Sequence, residues 1–158
     1  MTTSFSSRVR LGAAALTLAL LSLVAFRGTV QAEAVDLVCL GGGRLTDADL
    51  GHGTAIVVVW ASWSPRSRGI GERVGALASR WGGRARVVTV NFQEDGAVVE
   101  RFVGKGLGAP VCLDPEGNFS RNYKIATLPG LVVLKDGQAV YSGKLPDDPD
   151  SVIAPAVR

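Results

Sequence analysis

Hydrophobic residues recur along this chain with two different periods, which together predict an α/β protein. A continuous apolar run rich in β-branched residues at 55–60 predicts a strand that is buried on both faces, and a valine-rich segment at 86–92 predicts the next buried strand. Between these runs, apolar residues recur at steps of four, three and four, which predicts one buried stripe on a helix that begins at Ser64 and ends at Gly82. The stripe consists of Ile70, Val74, Leu77 and Trp81.

Shorter segments complete the predicted order of elements. Because helices alternate with buried strands, the strands are expected to be parallel and joined by right-handed crossovers. A turn at Asp136-Gly137 predicts a final antiparallel hairpin at the sheet edge. The shorter predicted segments are a strand at 35–40, a connecting element at 45–50, a helix at 97–103, a strand at 110–113, a helix at 118–123, strands at 131–134 and 139–142, and a final helix at 149–154.

Residues 1–32 have the pattern of a secretory signal. Two arginines precede an apolar stretch at 11–26, and Val30-Gln31-Ala32 is a small-x-small cleavage site. The apolar stretch is shorter than the about 20 residues of a membrane-spanning helix. We therefore predict a cleaved signal peptide followed by one exported domain, residues 33–158, with an uncleaved membrane anchor as the alternative.

The net charge excludes some classes of partner. The chain carries 17 Lys and Arg against 14 Asp and Glu, but three of the basic residues lie in residues 1–32. The predicted mature domain is therefore neutral, which argues against nucleic acid as a partner, and membrane contact is expected only if the signal is uncleaved. No cluster of metal ligands and no phosphate-cradling glycine loop is present in the sequence, so neither a metal nor a cofactor is expected.

Three motifs suggest a family. Residues 60–68, Trp-Ala-Ser-Trp-Ser-Pro-Arg-Ser-Arg, directly follow a predicted buried strand and resemble the thioredoxin active-site segment W-A-x-W-C-P-x-C-[RK]. Residues 110–117 resemble the F-P-V-x-x-D-x-x-G insert of the TlpA-like branch of the thioredoxin superfamily, and residues 123–130 resemble its Y-x-V-x-x-x-P segment. The resemblance to these exported thioredoxins covers residues 35–144.

The resemblance implies a thioredoxin fold, in which helices flank a central mixed sheet that ends in a C-terminal β-hairpin. It also implies a cis peptide bond between Leu128 and Pro129, a geometry that X–Pro amides make accessible. In the family the residue before this proline offers its backbone to an extended substrate, and the second tryptophan, here Trp63, lines the substrate surface. Trp63 is expected to be half exposed, and Trp60 to lie in the core.

Ser64 and Ser67 stand where the family has its two active-site cysteines. Serine forms no disulfide, and its hydroxyl needs a base to become nucleophilic. The single histidine, His52, is expected at the opposite end of the strand that precedes Ser64. Ser64 is instead expected to cap the following helix, with Pro65 at the first helical position.

Two further differences concern charge around the same segment. The family usually has a polar or acidic residue two positions before the first tryptophan, but here that position is Val58. We therefore expect no buried acid that could move protons. Arg66 and Arg68 make the segment basic, either as a solvated helix start or as an anion-binding group.

Cys39 and Cys112 do not match the active cysteines of the family. Each is expected to be a small buried apolar residue. The alternative is a disulfide between them, either structural or redox-active, since an exported protein can keep one.

The leading functional prediction is an exported thioredoxin-like protein that has lost dithiol chemistry and acts by binding. Its partner would be an extended polypeptide or a periplasmic protein, held by Trp63, Pro65, Arg66, Leu128 and Pro129. The alternative is a thiol–disulfide oxidoreductase that uses Cys112 and Cys39, in cytochrome c maturation or periplasmic disulfide reduction. A third interpretation is that the serines replace the cysteines of an active enzyme by engineering.

Overall fold

The computed structural model describes residues 33–104 and 106–158. The predicted signal peptide lies outside these residues and stays a prediction. Within the described part of the chain, no helix combines the length and apolar character needed to cross a membrane. The elements are β1 Asp36–Val38, β2 Arg44–Thr46, α1 Asp47–Leu50, β3 Thr54–Trp60, a 3₁₀ turn Pro65–Ser67, α2 Ile70–Trp81, β4 Arg86–Phe92, α3 Gly96–Val103, β5 Val111–Asp114, α4 Asn118–Asn122, β6 Gly130–Lys135, β7 Gln138–Lys144 and α5 Asp150–Val157.

A five-stranded mixed sheet forms the centre of the domain, with the order β5-β4-β3-β6-β7. Strand β3 pairs in parallel with β4, and β4 in parallel with β5. Strand β6 runs antiparallel to β3, and the hairpin strand β7 runs antiparallel to β6. The predicted α/β class, mixed sheet and C-terminal hairpin are therefore confirmed.

The central strand β3 is buried on both faces, as its continuous apolar pattern predicts. Ile56, Val58 and Trp60 belong to the core that α2, α3 and α5 cover, whereas the alternate residues face the core that α1 and α4 cover. All four residues of the predicted α2 stripe are at most 4% exposed. The sheet is thus a rigid base from which the loops at its edges project.

The segment before β3 differs from the prediction. Instead of one strand and a connecting element, β1 and β2 form a separate two-stranded antiparallel sheet, and α1 follows directly. Thr46 and Asp49 close a capping box at the start of α1, and hydrogen bonds from Thr46 lower the pKa of the Asp49 carboxyl. Strands of three residues are too short to show an alternating pattern, which is why the sequence did not reveal this hairpin.

Candidate functional site

The loops at the carboxyl ends of β3 and β4 surround a groove of about 510 Å³. Residues 63–66 follow β3 and line the groove together with Phe92, the last residue of β4. Residues 125–128, which precede β6, complete its lining. The predicted motif segments at 60–68 and 123–130 therefore meet in one place, although about sixty residues separate them in the chain.

The peptide bond between Leu128 and Pro129 is cis, as the family resemblance implied. Pro129 is buried, and its carbonyl accepts a hydrogen bond from the Leu145 amide at 2.9 Å. Gly130 pairs with Val59 in the register of β6 with β3. This register holds the Leu128 backbone beside the loop that follows β3.

Ser64 occupies the N-cap position of a 3₁₀ turn and Pro65 is the first residue of that turn, as predicted, but the predicted capping by the Ser64 side chain is wrong. Its hydroxyl makes no capping hydrogen bond and instead donates to the Leu128 carbonyl at 3.5 Å. The chain from Pro65 to Ser67 makes a single 3₁₀ turn, and α2 begins only at Ile70, after Gly69 adopts a left-handed φ of 70°. The serine therefore precedes a short turn, and its hydroxyl faces the cis-proline loop.

Neither serine has the base that nucleophilic chemistry needs. Ser64 is 6% exposed, and Ser67 is 1% exposed, with no hydrogen-bond partner for its hydroxyl among the described residues. His52 lies beside Thr54 at the start of β3, as expected, and so at the end of that strand away from the groove. The buried Val58 adds no acid beneath the site.

Glu94 is a residue of this site that the sequence analysis missed. Its carboxylate accepts hydrogen bonds from the backbone amide and the hydroxyl of Ser62 and from the side-chain amide of Asn91. The Ser62 backbone nitrogen and Asn91 Nδ2 each lie 2.6 Å from Oε2 of Glu94. Glu94 thereby holds the loop between β3 and Ser64 from the carboxyl end of β4. The available signal was its position two residues after a strand that neighbours β3, since the carboxyl ends of parallel strands lie together.

The aromatic and basic residues of the loop are placed as the sequence suggested. Trp60 is fully buried, and Trp63 is 61% exposed at the groove. Arg66 lines the groove and Arg68 is exposed beside it. The groove therefore combines an exposed indole and a guanidinium with the backbone of Leu128.

Cys39 and Cys112 form a disulfide, so the expectation of two separate buried thiols is wrong. Cys39 is 8% exposed and Cys112 is fully buried. The bridge joins the end of the β1 segment to the edge strand β5, where the Leu40 amide also donates to the Val111 carbonyl at 2.8 Å. The pairing was left open at the sequence level because two cysteines far apart in a chain show nothing of their distance in space.

No group of His, Cys, Asp and Glu in residues 33–104 and 106–158 is arranged to hold a metal ion. The groove presents hydroxyls, backbone groups, an aromatic face and one guanidinium, and such groups can bind and orient a ligand.

Several solved structures of low sequence identity resemble this chain. A candidate thiol:disulfide interchange protein DsbE from Chlorobium tepidum has a TM-score of 0.68 at 20% identity, covering 80% of this chain and 95% of that one. The exposed lipoprotein thioredoxin Etrx1 from Streptococcus pneumoniae has a TM-score of 0.66 at 19% identity, covering 76% and 95%. A secreted Mycobacterium tuberculosis disulfide oxidoreductase homologous to E. coli DsbE has a TM-score of 0.62 at 20% identity, covering 77% of this chain and 92% of that one.

These similarities concern the fold. The sequence matches no protein-family model and no curated protein. The solved structures show that the chain has the thioredoxin fold, as the motifs predicted.

Proposed function

We propose that this protein is an exported member of the TlpA-like branch that binds an extended polypeptide in the groove and exchanges no disulfide there. One observation carries the proposal. The exposed Trp63 lies in one groove with the backbone of Leu128, beside a cis-proline, while Ser64 holds a hydroxyl where disulfide exchange would need a thiolate.

The backbone of Leu128 is available to a second chain. Its amide makes no hydrogen bond among the described residues, and its carbonyl accepts only the long bond from the Ser64 hydroxyl. An extended segment could donate to this carbonyl and accept from this amide, in the manner of an added strand. Trp63 would cover an apolar side chain of the same segment, since a large exposed indole contributes much of the free energy at such surfaces.

Export is part of the proposal. The disulfide favours an oxidising compartment, because cytosolic thiols are kept reduced. Among the similar structures, one protein is described as an exposed lipoprotein and another as secreted. The signal-like pattern of residues 1–32 points the same way.

Replacing Trp63 by Ala is expected to weaken the binding of an unfolded polypeptide at least about tenfold, because the apolar face of the groove is lost. The probe is reduced α-lactalbumin with alkylated cysteines, which stays unfolded and cannot exchange disulfides. Binding is measured by titration calorimetry on the wild type and the variant. Val140→Ala, at an exposed apolar position on β7, is the matched control and is expected to leave binding unchanged.

Equal affinities of the wild type and the Trp63→Ala variant would rule out the groove as the binding surface. Catalysis of insulin reduction by the wild type, at a rate typical of thioredoxins, would rule out the loss of redox function.

The disulfide itself favours a second candidate function, a thiol–disulfide oxidoreductase acting through Cys39 and Cys112. The similar structures support this candidate more than the first, since two of them are described as disulfide-exchange proteins. In one exchange a substrate dithiol would be oxidised to a disulfide while the bridge is reduced, and the two protons of the substrate thiols would pass to the thiols of Cys39 and Cys112. A second disulfide compound would then have to reoxidise the bridge. Burial of both sulfurs argues against it, because exchange requires a thiolate to reach one sulfur directly.

The second candidate has its own test. If Cys112 carries the chemistry, Cys112→Ala abolishes both the oxidation of a dithiol peptide and the reduction of insulin by the protein. Activity measured by fluorescence and turbidity on the wild type and the variant decides the point, and unchanged activity in the variant would end this candidate.

A further inference from the structure

The lining of the groove is mostly apolar and carries one charged side chain. Arg66 is the one charged residue among the described residues that line it, in the company of Trp63, Phe92, Ile125 and Leu128. Beyond the lining, Arg68 is exposed two residues along the chain, and Lys124 is exposed directly before Ile125. Both loops of the groove therefore carry positive charge.

These three cations form no ion pair among the residues that the structure describes, 33–104 and 106–158. The carboxylate of Glu94 is near the same loop, but it is occupied by Ser62 and Asn91. A guanidinium beside apolar surface, with no carboxylate of its own, favours a ligand that brings one.

We propose that the groove prefers extended segments in which an acidic side chain lies within two positions of an apolar one. The inference rests on the proposed function and names the class of polypeptide bound. In an extended chain residues advance about 3.3 Å each and alternate between faces. When an apolar side chain lies against Trp63, a carboxylate two positions away therefore faces the same groove as Arg66, which lies three residues from Trp63 around the 3₁₀ turn.

The test uses three ten-residue peptides with blocked termini and no tryptophan. They are identical except at one central position, which is Asp, Asn or Lys. A leucine stands two residues away on either side, so that the varied side chain and the leucines share one face of the extended chain. Binding is followed by the fluorescence of Trp63, because Trp60 and Trp81 are buried and report little of the surface. We expect the Asp peptide to bind about fivefold more tightly than the Asn peptide, and the advantage to fall as ionic strength rises.

Charge reversal identifies the residue responsible. Arg66→Glu is expected to weaken binding of the Asp peptide about tenfold and to strengthen binding of the Lys peptide, which reverses the preference of the groove. Lys135→Glu is the control, since it makes the same charge change at the opposite end of the sheet, where Lys135 pairs with Thr54. This control is expected to leave the order of the three peptides unchanged.

The outcomes separate the two proposals. Equal affinity for all three peptides would overturn the acidic preference and leave polypeptide binding in place. A preference that survives Arg66→Glu would overturn the role of Arg66. Binding of none of the peptides, together with no binding of unfolded α-lactalbumin, would overturn the proposed function and this inference with it.

Discussion

Replacing Ser64 and Ser67 together by cysteine is expected to give the protein a disulfide-reductase activity that its groove lacks. The backbone around the two positions already suits a dithiol. The Ser67 amide donates to the Ser64 carbonyl at 2.9 Å, and side chains three residues apart in a 3₁₀ turn lie above one another. Two thiols at these positions would be close enough to form and open a disulfide.

The new dithiol would be active but slower than that of an ordinary thioredoxin. Arg66 and Arg68 follow the first thiol by two and four residues, and their positive charge favours its thiolate, which is the attacking species. Val58 beneath the site offers no proton acceptor, however, and general acid–base assistance is worth about a hundredfold or more. The activity is measured as insulin reduction in the presence of dithiothreitol, after intact mass has shown one added dithiol.

Two comparisons make this result decisive. The Ser64→Ala/Ser67→Ala variant is the control and is expected to stay inactive. Should the dicysteine variant fold and yet reduce no insulin, the groove is not equivalent to a thioredoxin active site. Should the wild type be as active as the dicysteine variant, the chemistry lies at the Cys39–Cys112 bridge.

Reduction of the Cys39–Cys112 disulfide is expected to lower the free energy of unfolding by about 4 kcal/mol. The bridge spans 73 residues, and chain-entropy arguments assign a stabilisation of about that size to a closed loop of this length. A small domain has only about 5–15 kcal/mol of stability in total. The bridge would thus be a major part of what keeps the fold intact.

Urea unfolding of the oxidised and reduced wild-type protein measures this difference without changing any residue. We expect the amides of β1 and β2 to lose hydrogen-exchange protection first, because this hairpin is joined to β5 by the bridge. Peptide binding in the groove is expected to persist at low urea concentration. A loss of less than about 1 kcal/mol would show that the bridge has little structural role, and the redox candidate would then gain.

The parts of the fold that could be predicted were those with strong local patterns. Strand β3 and the α2 stripe were predictable because burial on two faces, or on one helical face, dictates residue type over many positions. The cis-proline and the exposed Trp63 were predictable by resemblance, since both occur in motifs with specific spacing. The β1–β2 hairpin was missed because its strands are three residues long.

At the site, errors arose wherever a side chain had a choice of partners. Serine before proline is a typical N-cap, yet the Ser64 hydroxyl contacts the Leu128 carbonyl, because the cis-proline loop lies beside it. Glu94 carries no motif and became part of the site only because β4 ends next to β3. Local propensity is weak enough that a tertiary contact of this kind decides the outcome.

The sequence by itself determined the burial of β3 and of the α2 stripe, because burial there depends on a periodic pattern over many near neighbours. It also determined that no thiol stands at the groove, since Ser64 and Ser67 are fixed by the chain. Only the tertiary structure decided that Cys39 meets Cys112, that Ser62 binds Glu94 and that Ser64 faces Leu128. These pairs are set by strand order and register, which bring together residues that are distant in the chain.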